Sequence, residues 1–150
     1  VFIGPCVAKR KEAQQDEKVN FVLTFEEISS ILDGLGIDPG TSAPYEVEVQ
    51  SVREAHSFAQ TGGVAGAVKS YLKEKANSFQ VLPVANLSKK NIAMLRAYGK
   101  SGKAPAKFLE VMACEGGCIT GPCVHNELMA GKRKFEKELG KETKTYEDMD

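Results

Sequence analysis

The amino-acid sequence predicts an α/β domain in which a mostly parallel, four-stranded sheet is flanked by helices. Short apolar segments alternate along the chain with segments that carry helix signals, which is the order expected of parallel strands joined by helical crossovers. The chain has 150 residues, of which 42% are hydrophobic, so a core of ordinary size is available. We expect this domain to span residues 1–139 and to be followed by a polar tail over residues 140–150.

The first two strands are predicted on either side of a polar stretch. Residues 1–3 are apolar, and Gly4-Pro5 ends this strand because proline cannot donate to a sheet ladder. Residues 9–18 are polar, and the apolar residues 19–23 form the second strand.

Helix and strand signals then alternate to the end of the chain. Thr24, with Glu27 three residues later, predicts a capping box and a helix over residues 25–35. Ser88 predicts the cap of a later amphipathic helix. The other expected elements are an edge strand over 45–49, a weak helix over 51–60, a helix over 64–75, strands over 79–84 and 108–112, and a charged helix over 126–139.

Charge and hydropathy exclude several classes of partner. The 20 basic residues balance the 20 acidic ones, so the formal charge is +0, and general binding to nucleic acid or to an anionic membrane has no electrostatic basis. The apolar runs are too short for a membrane span, and no signal peptide opens the chain. A cytoplasmic location is expected. Because the chain starts at Val1, inside an apolar strand, we also expect it to be part of a longer protein.

The cysteines are placed unevenly along the chain. Cys6 follows the first predicted strand, whereas Cys114, Cys118 and Cys123 follow the fourth. The carboxyl ends of parallel strands meet at one edge of a sheet, so these thiols are expected to converge. Thiolates select zinc, Cu(I) or iron–sulfur clusters. The spacing lacks the Cys-x2-Cys pairs of common zinc sites, which favours iron–sulfur and leaves zinc as an alternative.

Residues beside the cysteines support a cluster site. Gly116 and Gly117 have no side chains, so backbone N–H groups there can approach inorganic sulfide. Lys9 and the two basic residues after it would stabilise a thiolate at Cys6 and an anionic cluster. The alternative interpretation is that Cys6 is a small core residue and that the basic run is a solvated face.

Two longer stretches resemble motifs of a known family, the catalytic domain of the [FeFe] (iron-only) hydrogenases. Residues 1–12, Val-Phe-Ile-Gly-Pro-Cys-Val-Ala-Lys-Arg-Lys-Glu, resemble the family's second cluster motif. Residues 108–118, Phe-Leu-Glu-Val-Met-Ala-Cys-Glu-Gly-Gly-Cys, resemble the third. Thr61-Gly62-Gly63-Val64 also looks like the family. The resemblance reaches about residue 130 and implies that the chain is one lobe of that catalytic domain.

The resemblance also implies a cofactor and the residues that hold it. The cofactor is a [4Fe-4S] cluster bridged to a two-iron subcluster (the H-cluster), which carries out the reversible oxidation of hydrogen to protons and electrons. By matched position, Cys6 and Cys114 would bind the cube, and Cys118 would bind it and bridge to the two-iron unit. Lys9 would donate a hydrogen bond to an iron-bound cyanide, and Met112 would pack against the two-iron unit. A ferredoxin-like electron carrier or domain is the expected partner.

Two departures from the family pattern leave alternatives open. The family's first cluster motif has no match here, so we expect an upstream part of the same protein to supply the missing ligand, and the stretch by itself to lack the cofactor. The third motif continues into Pro122-Cys123 instead of the usual glutamine-bearing turn, which is typical of a divergent, sensory-type branch. The alternatives are therefore a hydrogen or redox sensor, or a non-catalytic module in which Cys123 completes a four-cysteine iron–sulfur or zinc site.

Overall fold

Two pairs of parallel strands form the framework of the protein. In the first pair, β1 (Phe2–Gly4) lies beside β2 (Val22–Thr24), and Ile3 is opposite Leu23. In the second pair, β3 (Val81–Ala85) lies beside β4 (Phe108–Met112). All four strands occur where the sequence predicts them, and both pairs are parallel as expected.

The prediction of a single four-stranded sheet is not confirmed. The computed structural model describes residues 1–45 and 51–149, and within these ranges the strands form two separate two-stranded sheets. Apolar periodicity locates a strand but carries no information on which other strand it pairs with. Because β1 and β2 are only three residues long, they offer few ladder hydrogen bonds to a further strand. An α/β architecture with short parallel strands is therefore what the chain adopts.

Helices flank both strand pairs. The described residues contain six α-helices, which are α1 (Lys9–Ala13), α2 (Phe25–Gly34), α3 (Arg53–His56), α4 (Gly63–Leu72), α5 (Lys89–Ser101) and α6 (Leu128–Leu139). Short 3-10 turns follow α3 at Ser57–Ala59 and lie at Cys118–Thr120 and Tyr146–Met149. No helix in this part of the chain has the length and apolar character needed to cross a bilayer.

Both predicted helix caps are confirmed. The hydroxyl of Thr24 accepts a hydrogen bond from the Glu27 amide at 3.2 Å, and the Glu27 carboxylate accepts from the Thr24 amide at 2.8 Å. Ser88 accepts from the Asn91 amide at 3.2 Å at the start of α5. These caps depend on residues three positions apart, which is why a sequence pattern finds them.

Three regions differ from the sequence-based expectation or fall outside the structure. The polar linker after β1 contains α1, which was not predicted because its five residues bury no side chain and so leave no apolar period. The weak helix at 51–60 forms as α3 and a 3-10 turn. The expected edge strand at 45–49 lies outside the described residues except for Tyr45, which is exposed.

The capping box makes one pH-dependent contribution to stability. Hydrogen bonds from the Thr24 amide, from Arg10 and from the Thr24 hydroxyl lower the pKa of Glu27 from 4.5 to about 2. A carboxyl whose pKa is lowered by folding stabilises the fold above its unfolded pKa and loses that effect as the pH falls through its folded pKa. We expect Glu27→Gln to reduce the loss of stability between pH 4.5 and about 2.

Urea midpoints measured across that pH window check this prediction. Glu17→Gln is the control, because Glu17 is an exposed carboxyl in the turn before β2 and belongs to no cap. Identical pH profiles for Glu27→Gln and the unmodified protein would show that Glu27 makes no pH-dependent contribution to stability.

Candidate metal centre

Three cysteines from distant parts of the chain share one region of the surface. Cys6 lies just after β1, Cys114 just after β4, and Cys118 opens the 3-10 turn Cys118–Thr120. Partial burial of its sulfur raises the pKa of the Cys118 thiol, the charges of Cys6 and Cys114 raise it further, and the Lys9 ammonium lowers it. All three cysteines are free thiols, and the Cys118 thiol is the one on which the charges of the other two and of Lys9 act.

The backbone around Pro5 holds these segments together. The amide of Cys123 donates a hydrogen bond to the Pro5 carbonyl at 3.2 Å, and the amide of Gly121 donates to the Cys118 carbonyl at 2.9 Å. Gly121 is buried, and a Cβ atom placed on it would lie 3.0 Å from both the Cβ and the carbonyl oxygen of Pro5. The turn that carries Cys118 therefore packs directly against the residue before Cys6.

Gly117 is required where two backbones meet. It forms an antiparallel bridge with Gln60, and the Thr61 amide donates to the Gly116 carbonyl at 3.3 Å. Gly117 has a φ of +92°, and a Cβ atom there would lie 2.7 Å from the Ala59 carbonyl oxygen. The sequence pattern identifies Gly116 and Gly117. Only the structure shows that Gln60 and Thr61 pack against them.

The buried carboxylate of Glu110 connects β4 to the start of α4. Glu110 is 6% exposed, and it accepts hydrogen bonds from the amides of Gly62 at 2.8 Å and Ala65 at 2.9 Å. A carboxylate is well placed there, because the first amides of a helix lack partners within the helix and carry partial positive charge. Glu110 thus holds the Gly62-Gly63 turn. This turn starts two residues after Gln60, which forms the bridge with Gly117.

Lys9 lies beside the thiols and is paired with a carboxylate. Its ammonium donates to Glu12 at 2.6 Å and lies 5.9 Å from the centre of the Phe2 ring. Both partners of the ion pair are substantially exposed, with 39% and 67% of the two side chains open to solvent. An exposed pair of this kind contributes about 0–1 kcal/mol, so the ammonium can turn toward another anion at little cost.

The other predicted site residues are placed differently. Met112 ends β4 opposite Ala85 and is half-buried. Cys123 is buried, with 8% of its surface exposed, and the charges that act on the Cys118 thiol come from Cys6, Cys114 and Lys9. Cys123 is therefore the buried member of the four cysteines, and its amide lies within hydrogen-bond distance of the residue before Cys6.

This donor set fits an iron–sulfur cluster. Across residues 1–45 and 51–149, no group of three or more His, Cys, Asp or Glu side chains is arranged to hold one metal ion. Iron–sulfur clusters are held by cysteine thiolates. Three thiols beside a lysine match this requirement for soft ligands and positive surroundings.

The fold and the cysteine arrangement define a class of hydrogenase domain. The model of the family "Iron only hydrogenase large subunit, C-terminal domain" matches residues 1–122, and the chain belongs to that family. The match confirms the resemblance carried by the two cysteine motifs. It ends one residue before Cys123.

Two relatives show how much of a hydrogenase the chain represents. The periplasmic [Fe] hydrogenase large subunit of Nitratidesulfovibrio vulgaris (strain Hildenborough) is 27% identical over an alignment 157 residues long. The alignment covers 81% of this chain and 37% of the relative. A solved structure, titled as revealing stepwise [FeFe]-hydrogenase H-cluster assembly in HydA(deltaEFG), matches with a TM-score of 0.58 at 18% identity. That match covers 97% of this chain and 52% of the solved one, and it shows a shared fold.

The contact at Gly117 predicts a large difference between two glycine substitutions. Gly117→Ala places a side chain on a backbone conformation reserved for glycine and against Ala59, so we expect a loss of about 2–3 kcal/mol or more in the free energy of unfolding. Gly66→Ala is the matched control in α4, where a Cβ atom meets no neighbour within 4 Å. It should be neutral or stabilise the protein by about 0.5–1 kcal/mol.

Chemical denaturation of the reduced, metal-free proteins measures both effects. Equal stabilities for the two variants would show that the backbone contact at Gly117 does not form in solution.

Proposed function

We propose that this chain is part of the catalytic domain of an iron-only hydrogenase, which oxidises hydrogen reversibly to protons and electrons. The observation that carries the proposal is the packing of the turn that carries Cys118 against Pro5, the residue before Cys6, within the stretch that the family model matches. Membership of the hydrogenase family supports it. When bound, the H-cluster supplies the redox chemistry, and the residues described here bind and orient it.

The three thiols are the proposed cluster ligands. Cys6 and Cys114 would hold the [4Fe-4S] cube, and Cys118 would hold it together with the two-iron subcluster. Each thiol gives up its proton on binding, because the thiolate is the metal ligand. Lys9, whose charge already lowers the pKa of the Cys118 thiol, offsets the negative charge that gathers there.

The remaining predicted residues have orienting roles in this proposal. The Lys9 ammonium, which donates to Glu12 here, would be the donor for an iron-bound cyanide, since both are anionic acceptors. Met112 packs against the subcluster from the end of β4. Gly116 and Gly117 would let the backbone approach the cluster without side chains; the Gly117 amide donates to the Cys114 carbonyl at 3.2 Å, and Gly117 also holds the turn against Gln60.

The other parts of the proposal lie outside this chain. The chain spans 37% of the N. vulgaris relative and 52% of the solved structure, and we propose that another part of the same protein supplies the remaining cube ligand. A ferredoxin-like carrier or domain is the proposed electron partner. The cytoplasmic location expected from the sequence stays a prediction, and the relative from N. vulgaris is named as periplasmic.

Serine substitutions in the full-length protein, matured under anaerobic conditions, test the ligand assignment. We expect Cys6→Ser, Cys114→Ser and Cys118→Ser each to lose most cluster iron, the spectroscopic signature of the cube and hydrogen evolution from a reduced dye. Cys123→Ser is the matched control and should keep the iron content and the spectrum of the unmodified protein, because Cys123 lies just beyond residues 1–122, which match the family.

Two outcomes would contradict the proposal. Iron loss on Cys123→Ser with retention on Cys118→Ser would favour a four-cysteine module without a two-iron unit. A complete cluster that exchanges electrons but neither produces nor consumes hydrogen would favour sensing.

A further inference from the structure

The segment after α6 is fastened to α3. We define residues 142–146 as the C-terminal strap. Three polar contacts join it to α3, namely the Arg53 amide to the Lys144 carbonyl at 2.9 Å, the Tyr146 amide to Glu54 Oε2 at 3.2 Å, and His56 Nδ1 to Glu142 Oε1 at 3.1 Å. The strap lies outside residues 1–122, which match the hydrogenase family.

Glu54 joins the strap to a second helix. While Oε2 of its carboxylate accepts from the Tyr146 amide, Oε1 accepts from the hydroxyl of Ser70 in α4 at 3.1 Å. The rings of Tyr146 and Tyr71 meet edge to face, with their centroids 6.4 Å apart. One half-buried carboxylate thus holds the strap, α3 and α4 in a fixed relation.

The contacts continue from α3 to the cysteine turn, which we define as residues 114–121. The hydroxyl of Ser57 donates to the Glu54 carbonyl at 2.6 Å and lies 3.2 Å from the Gly63 carbonyl. Gly63 in turn donates its amide to the Gln60 carbonyl at 3.1 Å. Gln60 forms the bridge to Gly117, between Cys114 and Cys118.

We propose that the C-terminal strap positions the cysteine turn, with Glu54 as the positioning residue that transmits its effect. The path from Tyr146 to Gly117 consists of the hydrogen bonds and the backbone bridge given above, joined through the covalent structure of Glu54 and Gly63. Displacing the strap would therefore loosen the turn that carries Cys114 and Cys118, without touching either thiol. This inference goes beyond the proposed hydrogenase function and needs no bound cluster, so it can fail while the proposed function stands.

Amide hydrogen exchange of the reduced, metal-free protein tests the proposal. Glu54→Ala removes both acceptors, and we expect amides in residues 60–65 and in the cysteine turn to exchange roughly tenfold faster, the change that corresponds to about 1.4 kcal/mol. Amides of α5 serve as the internal reference and should keep their rates. A general decrease in the stability of the fold would instead speed exchange throughout the chain.

Three further variants make the test decisive. Glu54→Gln keeps one acceptor and should restore part of the protection. Tyr146→Ala removes the ring contact with Tyr71 and should give the same regional pattern with smaller amplitude, including where Glu54→Ala fails to fold. Glu138→Gln breaks an exposed pair with Lys141 just before the strap and should change nothing in the turn.

Two results overturn the proposal. One is unchanged exchange in the cysteine turn while residues 142–149 become unprotected. The other is an equal increase in the cysteine turn and in α5 for both Glu54→Ala and Tyr146→Ala.

Discussion

The contact between Pro5 and the turn around Gly121 is the constraint on which the candidate metal centre depends. These residues are far apart in the sequence, and each lies beside one part of the thiol set. Because Gly121 has no side chain, the two backbones approach closely enough for the Cys123 amide to reach the Pro5 carbonyl. The same contact brings Cys118 toward Cys6. Without it, β1 and β4 would end at unrelated places, since they belong to different sheets.

Those features of the fold that depend on near neighbours in the sequence could be predicted. The capping box of Thr24 and the cap at Ser88 involve residues three apart, and the strands follow from short apolar runs. The pairing of strands could not be predicted, because it depends on contacts between distant segments that apolar period does not record. The expectation that Cys6 and Cys114 meet at one sheet edge assumed a shared four-stranded sheet; because β1 and β4 belong to different sheets, their convergence stays a prediction.

The supports of the cysteine turn are harder to see in the sequence. Glu110 lies inside the third cluster motif, so the motif points to it, but its partners in α4 emerge only from the fold. Glu54 has no sequence signal at all, because an isolated glutamate in a weakly helical segment is ordinarily a solvated residue. The structure gives both carboxylates the same kind of task. Glu110 ties β4 to the start of α4, and Glu54 ties α3 to α4 and to the C-terminal strap.

The proximity of Cys6 and Cys118 is the central claim, and a bifunctional thiol reagent measures it most directly. In reduced, metal-free Cys114→Ser protein, a short bis-alkylating bimane followed by peptide mapping should yield an intramolecular link between Cys6 and Cys118. The buried Cys123 should react slowly and remain unlinked. Two results would contradict this proximity. One is a reagent attached to Cys6 by a single arm, and the other is a link that forms only between different molecules.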